Sequence, residues 1–327
     1  MFARRSKIVL GAQTVAETPL LLPSFSSKGF PQVRQIMSLM AEFITGPILI
    51  SSYDVHYRLI PGNITFPQLL FLDSGGYEAR VEHDLSETYG KLHKPRQWNQ
   101  RLHDRVLANW SSKWPTIAVS FDSPARFLGL SKQIEGAVEL RKRYPHLLWE
   151  LLVKPETTKV PFVSFENLQK KVEHLRGFAV VGVTEKELDD TVFGAMVKIA
   201  RLRTQMNAAG IDVPIHIFGS LDPLTTVLYF LAGAEIFDGL TWLRFGYHAG
   251  KAIYYQNYSV IRDSTGLRCH THDQYHEMWR SNYYYLERLR TQMINFVRTG
   301  DLSHFDAIQP YLSDALTQLQ ATVSETR

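Results

Sequence analysis

Three short segments put carboxylates where they could act together: LDSGGYE around Asp73, FDSP around Asp122 and FDGL around Asp238. Each of these aspartates closes a short apolar run. Two carboxylates in one pocket supply a nucleophile and a general acid/base, the equipment of glycosyl transfer through a covalent intermediate. A lone aspartate at such a place also serves as a turn former or helix N-cap, so the reading rests on the three converging. Beside Asp73 lie Ser74, Gly75 and Gly76, where bare backbone can approach a ligand, and Tyr77, which offers a flat face to a planar base. The alternative for this segment is a glycine-bearing turn with a partly buried tyrosine. Gly182, late in FAVVGV, either hydrogen-bonds a ligand edge through its backbone or permits close packing.

The elements that must position these residues follow from periodicity. Eight β-rich apolar runs recur: Pro19–Ser24, Pro47–Ser51, Leu69–Asp73, Thr116–Asp122, Leu147–Val153, Phe178–Val183, Pro214–Gly219 and Glu235–Asp238. Near-continuous apolar strands suit a parallel sheet covered on its outer face by helices. Helical spacing predicts helices over Gln32–Phe43, Gln97–Trp110, Lys132–Tyr144, Phe165–Leu175, Glu185–Ala209 and Pro223–Ala232, the last with Asp222 as N-cap and Pro223 at its first position. The alternation predicts an α/β fold, a (β/α)8 barrel, whose active site is built at the C-terminal ends of the strands. Beyond it the sequence reads as an irregular stretch, Trp242–Gly266, then a long helix over Asp273–Arg298 and a last one over His304–Thr322. The expected organisation is a barrel over 1–265 with a helical extension, 266–327, packed on it. The hexapeptide RLRTQM occurs at Arg201–Met206 and Arg288–Met293, but nothing around the copies matches.

Composition excludes several classes. Hydrophobic residues make up 45% of 327 and charged residues 21%, which fits neither disorder nor a coiled coil. Cys269 is the single cysteine, so no internal disulfide and no zinc site with two or more thiolates can form, and a reducing compartment is expected. The basic start, Met1–Lys7, is followed by an apolar stretch broken by Gln13 and Glu17, so neither a signal peptide nor a membrane span is expected and the location expected is cytoplasmic. A net charge of +4 and a pI near 9.0 permit a polyanionic partner without the dense basic stripe of a dedicated nucleic-acid binder.

The order of motifs resembles the tRNA-guanine transglycosylases and their DNA-modifying relatives, from about Thr18 to Arg298. TPLLLPSFSSKG resembles that family's opening strand and loop, LDSGGYE its DSGG(F/Y)Q element and GFAVVGVTEKE its GxAxGG(L) element. IHIFGSLDP resembles YLMGxGxP, and IFDGLTWLRFG resembles FDCxxPTRxG. The resemblance implies a transferase in which Asp238 is the nucleophile and Asp73 the general acid/base. It further implies that Asp122 reads the base, that Gly182 and the Val183 amide bind its carbonyl, and that Tyr77 and Phe218 stack on its two faces. Arg244 would meet a phosphate, and Ser24–Gly29 would lie along the rim.

The chain departs from the pattern in ways that bear on substrate. The family's structural zinc uses three cysteines and a histidine, and here only Cys269 is present. No cofactor is required by the implied chemistry, and a substitute zinc site from Cys269, His272 and His276 is the remaining metal option. Lys154 stands where the family carries a base-reading glutamine, and Trp242 replaces the proline of PTR, either stacking on a nucleotide or packing. These departures point to a divergent paralogue: a DNA guanine transglycosylase inserting a base of the 7-cyano-7-deazaguanine type. The modest charge of +4 suits a protein partner for duplex opening, since strand opening usually uses a denser basic surface. The alternatives are base exchange in tRNA, a non-catalytic nucleic-acid-binding paralogue, and a metal-dependent barrel hydrolase using His270 and His272.

Overall fold

The computed structural model describes residues 2–81, 93–123, 127–262 and 271–325. It opens on an antiparallel hairpin, β1 (Lys7–Leu10) and β2 (Gln13–Glu17), turned at Gly11, whose φ of 61° lies in the left-handed region. The apolar pattern missed this hairpin because most of its residues are exposed or half-buried. Only Ile8 is fully buried in β1, in one cluster with Leu20, Leu69 and Ile236 from the barrel strands.

Eight parallel strands then close into a barrel: β3 (Leu20–Phe25), β4 (Ile48–Ser51), β5 (Leu70–Asp73), β6 (Thr116–Val119), β7 (Leu148–Val153), β8 (Val180–Thr184), β9 (Ile215–Phe218) and β10 (Ile236–Gly239). Pairing of β10 with β3, Asp238 opposite Leu22, seals the ring. All eight predicted runs contain a strand, and the architecture is the predicted (β/α)8 barrel. The largest shortening is in β6. β6 ends at Val119, because the Ser120 hydroxyl takes the Leu152 N–H at 2.9 Å. Asp122 therefore lies three residues past the strand, in the loop above it.

Helices α1 (Val33–Met40), α2 (Ser52–His56), α3 (Gln100–Ala108), α4 (Leu130–Arg143), α5 (Phe165–Lys170), α6 (Val192–Ala208) and α7 (Pro223–Leu231) connect the strands. α7 starts as read, with the Asp222 carboxylate accepting from Leu224 and Thr225 N–H. α6 starts later than Glu185, because Asp189 accepts from the Thr191 N–H and Thr191 in turn caps Gly194. Such local side-chain bonds compete with the helical ladder.

Residues 263–266 lie outside those described, but as far as Arg262 the stretch after β10 is built of regular elements rather than irregular, which corrects the sequence reading. It holds α8 (Thr241–Arg244), a hairpin of β11 (Phe245–His248) and β12 (Lys251–Tyr254), and α9 (Tyr255–Arg262). The tail comprises α10 (Thr271–Thr299) and α11 (Gln309–Ser324). α10 is bolted to the barrel: Asn282 donates to the Trp242 and Phe245 carbonyls and accepts from Tyr247 N–H, and Arg290 donates to the Pro19 carbonyl. The division expected at 265/266 lies outside the described residues. No helix among those described is long and apolar enough to cross a membrane.

Candidate active site

A cavity of about 360 Å³ opens at the C-terminal ends of the barrel strands, within the size range of small-molecule sites. Its wall brings together Asp73, Ser74, Gly76, Tyr77, Asp122, Lys154, Phe218, Asp238 and Arg244.

Asp238 is almost fully buried on the third residue of β10. Its Oδ2 accepts from the Ser24 hydroxyl at 2.7 Å and its Oδ1 from the Gly219 N–H at 3.1 Å. His216 Nε2 lies 3.2 Å from the same Oδ1, as close as an ion pair but off the line of a well-formed hydrogen bond. Asp73, the last residue of β5, accepts from the Gly75 N–H at 3.0 Å. Burial, the Glu78 carboxylate and Asp238 push the Asp73 carboxyl up to about 7, against the pull of that N–H. Gly75 can turn back onto Asp73 because its φ is 86°, and a Cβ there would meet the Tyr53 and Trp98 side chains. It is a structural glycine and not part of the cavity wall. Ser74 does face the cavity, and its hydroxyl is buried without a hydrogen-bond partner among the described residues.

Asp122 is held by two cations, Arg80 at 3.0 Å and Lys154 at 3.6 Å. Lys154 also pairs with Glu187 at 2.7 Å, so a lysine fits here by neutralising two carboxylates. Gly76 permits the approach, since a Cβ on it would sit 2.8 Å from Asp122 Oδ2. Tyr77 and Phe218 each have one face covered from the protein side. The Lys28 ammonium sits 4.5 Å from the Tyr77 ring centre, and His216 stacks on Phe218 at 4.0 Å. Arg244 donates to the Tyr77 hydroxyl at 3.3 Å.

Three expected contacts lie elsewhere. Gly182 and Val183 are interior to β8, paired to β7 and β9, and stand behind the cavity wall rather than in it. A Cβ on Gly182 would overlap Glu150 Oε1 and the Phe218 ring, which is why that position is bare. Trp242 is fully buried, its indole N–H donating to the Ser24 carbonyl at 3.1 Å and its ring edge-on to Phe25. It packs, and by anchoring Ser24 it supports the residue that holds Asp238.

For the metal option, Cys269 and His270 lie outside the described residues, as does the His272 side chain. His276 packs against the Trp279 ring at 5.5 Å. Among the described residues no group of three or more His, Cys, Asp or Glu could hold a metal ion.

The sequence reading missed several groups at this site. Glu150 and His216 are completely buried and 2.8 Å apart, each a lone ionisable residue in an apolar strand, which was the available signal. Glu185 lines the cavity, and burial, opposed by hydrogen bonds from Tyr229 and Ser220, leaves it pushed up to about 7. Glu78 accepts from the hydroxyls of Ser26 and Ser51. Arg80 and Lys186 join Arg244 around the mouth, while Lys28 is buried behind Tyr77, its ammonium donating to the Tyr77 and Arg80 carbonyls. No protein-family model matches the chain, and no curated protein sequence matches it either.

Proposed function

We propose that this protein is a guanine transglycosylase acting on a nucleic acid, exchanging guanine for a 7-deazaguanine base of the 7-cyano-7-deazaguanine type. The observation that carries the reading is the meeting, in one cavity, of a braced carboxylate, Asp238, and a second carboxyl, Asp73, held up at about 7. The first suits a nucleophile and the second a proton carrier at neutral pH. The order of motifs in the sequence adds to this as a family-level analogy.

In this mechanism Asp238 attacks C1′ of the target nucleotide as the bond from C1′ to the guanine N9 breaks. Asp73 donates its proton to the departing base. The incoming base then gives its N9 proton to Asp73 and attacks C1′, and the electron pair of the ester bond returns to Asp238. Two displacements retain the configuration. Of the two Asp238 oxygens, Oδ2 carries only the Ser24 hydroxyl and is the freer to attack. Tyr77 and Phe218 offer aromatic surface to the base, and the mouth cations offer charge to phosphates. A base inside a duplex must be flipped out to enter such a cavity. DNA is the favoured polymer because the chain has the lone Cys269 in place of the three cysteines of the tRNA enzymes.

The test incubates the pure protein with labelled 7-cyano-7-deazaguanine and, in parallel arms, duplex DNA, single-stranded DNA and tRNA, with Asp238→Ala as control. Label in DNA that is lost in the variant is the expected result. Label in tRNA alone would keep the chemistry and overturn the choice of polymer, and label in neither would overturn the proposal for the protein acting alone.

A further inference from the structure

Inside the barrel, below the cavity, three ionisable side chains from three strands form a line. Glu150 Oε1 of β7 lies 2.8 Å from His216 Nδ1 of β9, and His216 Nε2 lies 3.2 Å from Asp238 Oδ1 of β10. Glu150 and His216 are completely buried. We propose that Glu150 and His216 act as a positioning relay, in which the imidazole, fixed by Glu150, aims the Asp238 carboxylate into the cavity and supplies positive charge to its inner oxygen. This rests on Asp238 being the nucleophile of the proposed reaction.

The surroundings are built around the line. The His216 ring is stacked on Phe218 and meets Phe71 edge-on at 5.7 Å, which fixes its plane. Gly182 is bare where the Glu150 carboxylate passes. The ionisable groups on the ring are thus Glu150 from β7 and Asp238 from β10, while β5 contributes Phe71 and β8 the bare Gly182. Burial pulls the His216 imidazole down, but the two carboxylates outweigh it and hold the ring up at about 9. A lone carboxylate buried as deeply as Glu150 is costly unless a charge faces it, so the pair makes sense as glutamate and imidazolium.

The benefit falls on the second displacement. When the ester bond from C1′ to Asp238 breaks, its electron pair returns to a carboxylate, and a fixed cation beside Oδ1 stabilises that developing charge without reorganisation. The relay touches neither base nor sugar, so it changes turnover and leaves base affinity alone.

The test has two readouts. Histidine-selective 15N NMR of the wild-type protein should show His216 protonated at pH 7, titrating near 9, and falling in Glu150→Gln. In the base-exchange assay, Glu150→Gln should lower kcat by about 10- to 100-fold with KM for the base unchanged. It should also move down, with the NMR value, the second alkaline break of the pH profile, the one near 9 that lies above the fall set by Asp73 near 7. A neutral His216 at pH 7 in the wild type overturns the relay without the need of any variant. So does a pH profile that stays put in Glu150→Gln while the His216 titration moves, or a KM that rises with kcat unchanged. Failure of the underlying function reading looks different: the wild type then exchanges no base, whatever the state of His216.

Discussion

Asp73 and Asp238 share a cavity but not an environment. Asp238 is braced by a hydroxyl, a backbone N–H and an imidazole, whereas Asp73 faces Glu78 and has only the backbone N–H groups of Gly75 and Ser74 in return. Environments that differ in this way separate a nucleophile from an acid/base. Because burial and then the Glu78 charge hold Asp73 up at about 7, its proton is lost as pH rises through neutrality, and donation to the leaving base fails above that point. Replacing Glu78 with glutamine removes the charge and keeps a hydrogen-bonding amide for Ser26 and Ser51. We expect Glu78→Gln to shift the alkaline fall in exchange rate to lower pH, by about a unit for every 1.4 kcal/mol of repulsion relieved. An unmoved or raised midpoint would show that Glu78 does not tune Asp73. At this scale the sequence was legible where a polar residue stood at or next to the end of a strand, as with Asp73 and Asp238. It was misleading at Trp242, whose aromatic character suits stacking and packing equally, and only the position of the Ser24 carbonyl decides between them.

Strands and helices differed in how plainly they could be read. Each barrel strand is an apolar run covered on both faces, so its signal survives in isolation, as in β4 and β9, where every residue is buried. The β1–β2 and β11–β12 hairpins carry exposed and half-buried residues, and their pairing is made by backbone bonds that leave little mark on hydropathy. Element geometry also explains Gly182, read as a ligand contact and found instead where β8 must let Glu150 and Phe218 pass. A methyl group there has no free space and must displace the carboxylate or the ring. We expect Gly182→Ala to destabilise the fold by about 1–3 kcal/mol, the usual cost of overpacking, and to lower exchange by displacing the Glu150–His216 pair. Chemical denaturation and the base-exchange assay check the two parts. A variant as stable as the wild type would show that the contacts around Gly182 are looser than described.

Among the described residues, the fold holds protons on Asp54, Asp73, Glu185 and His216 into the neutral or alkaline range, and burial also raises the Glu150, Glu235 and Glu287 carboxyls. Burial with the Glu78 charge pushes Asp54 up to about 8, and burial with other carboxylates puts Asp73 and Glu185 at about 7. His216 stands at about 9, its burial outweighed by Glu150 and Asp238. In the unfolded chain the three carboxyls are ionised well below neutrality and the histidine loses its proton near its ordinary 6.5. From pH 6.5 to 9 the native state therefore binds more protons than the unfolded state, and stability falls as pH rises. His103, whose burial pulls it down to about 3, is neutral in the fold throughout this window and adds little to the slope. The contribution of His216 is fully present below 6.5 and is lost as pH passes 9; that of Asp54 is fully present below its unfolded value and lost by about 8. We expect the thermal midpoint to drop between pH 6.5 and 9, with a slope on the order of 1 kcal/mol per pH unit for each proton difference. Asp54→Asn keeps an acceptor for the Ser27 N–H and a donor for its hydroxyl while removing the titrating group, so it should flatten the lower half of that fall. A midpoint that is level or rises toward pH 9 in the wild type would mean that these groups are not held protonated in the fold. The acid/base assignment of Asp73 would then lose its physical basis along with the stability argument.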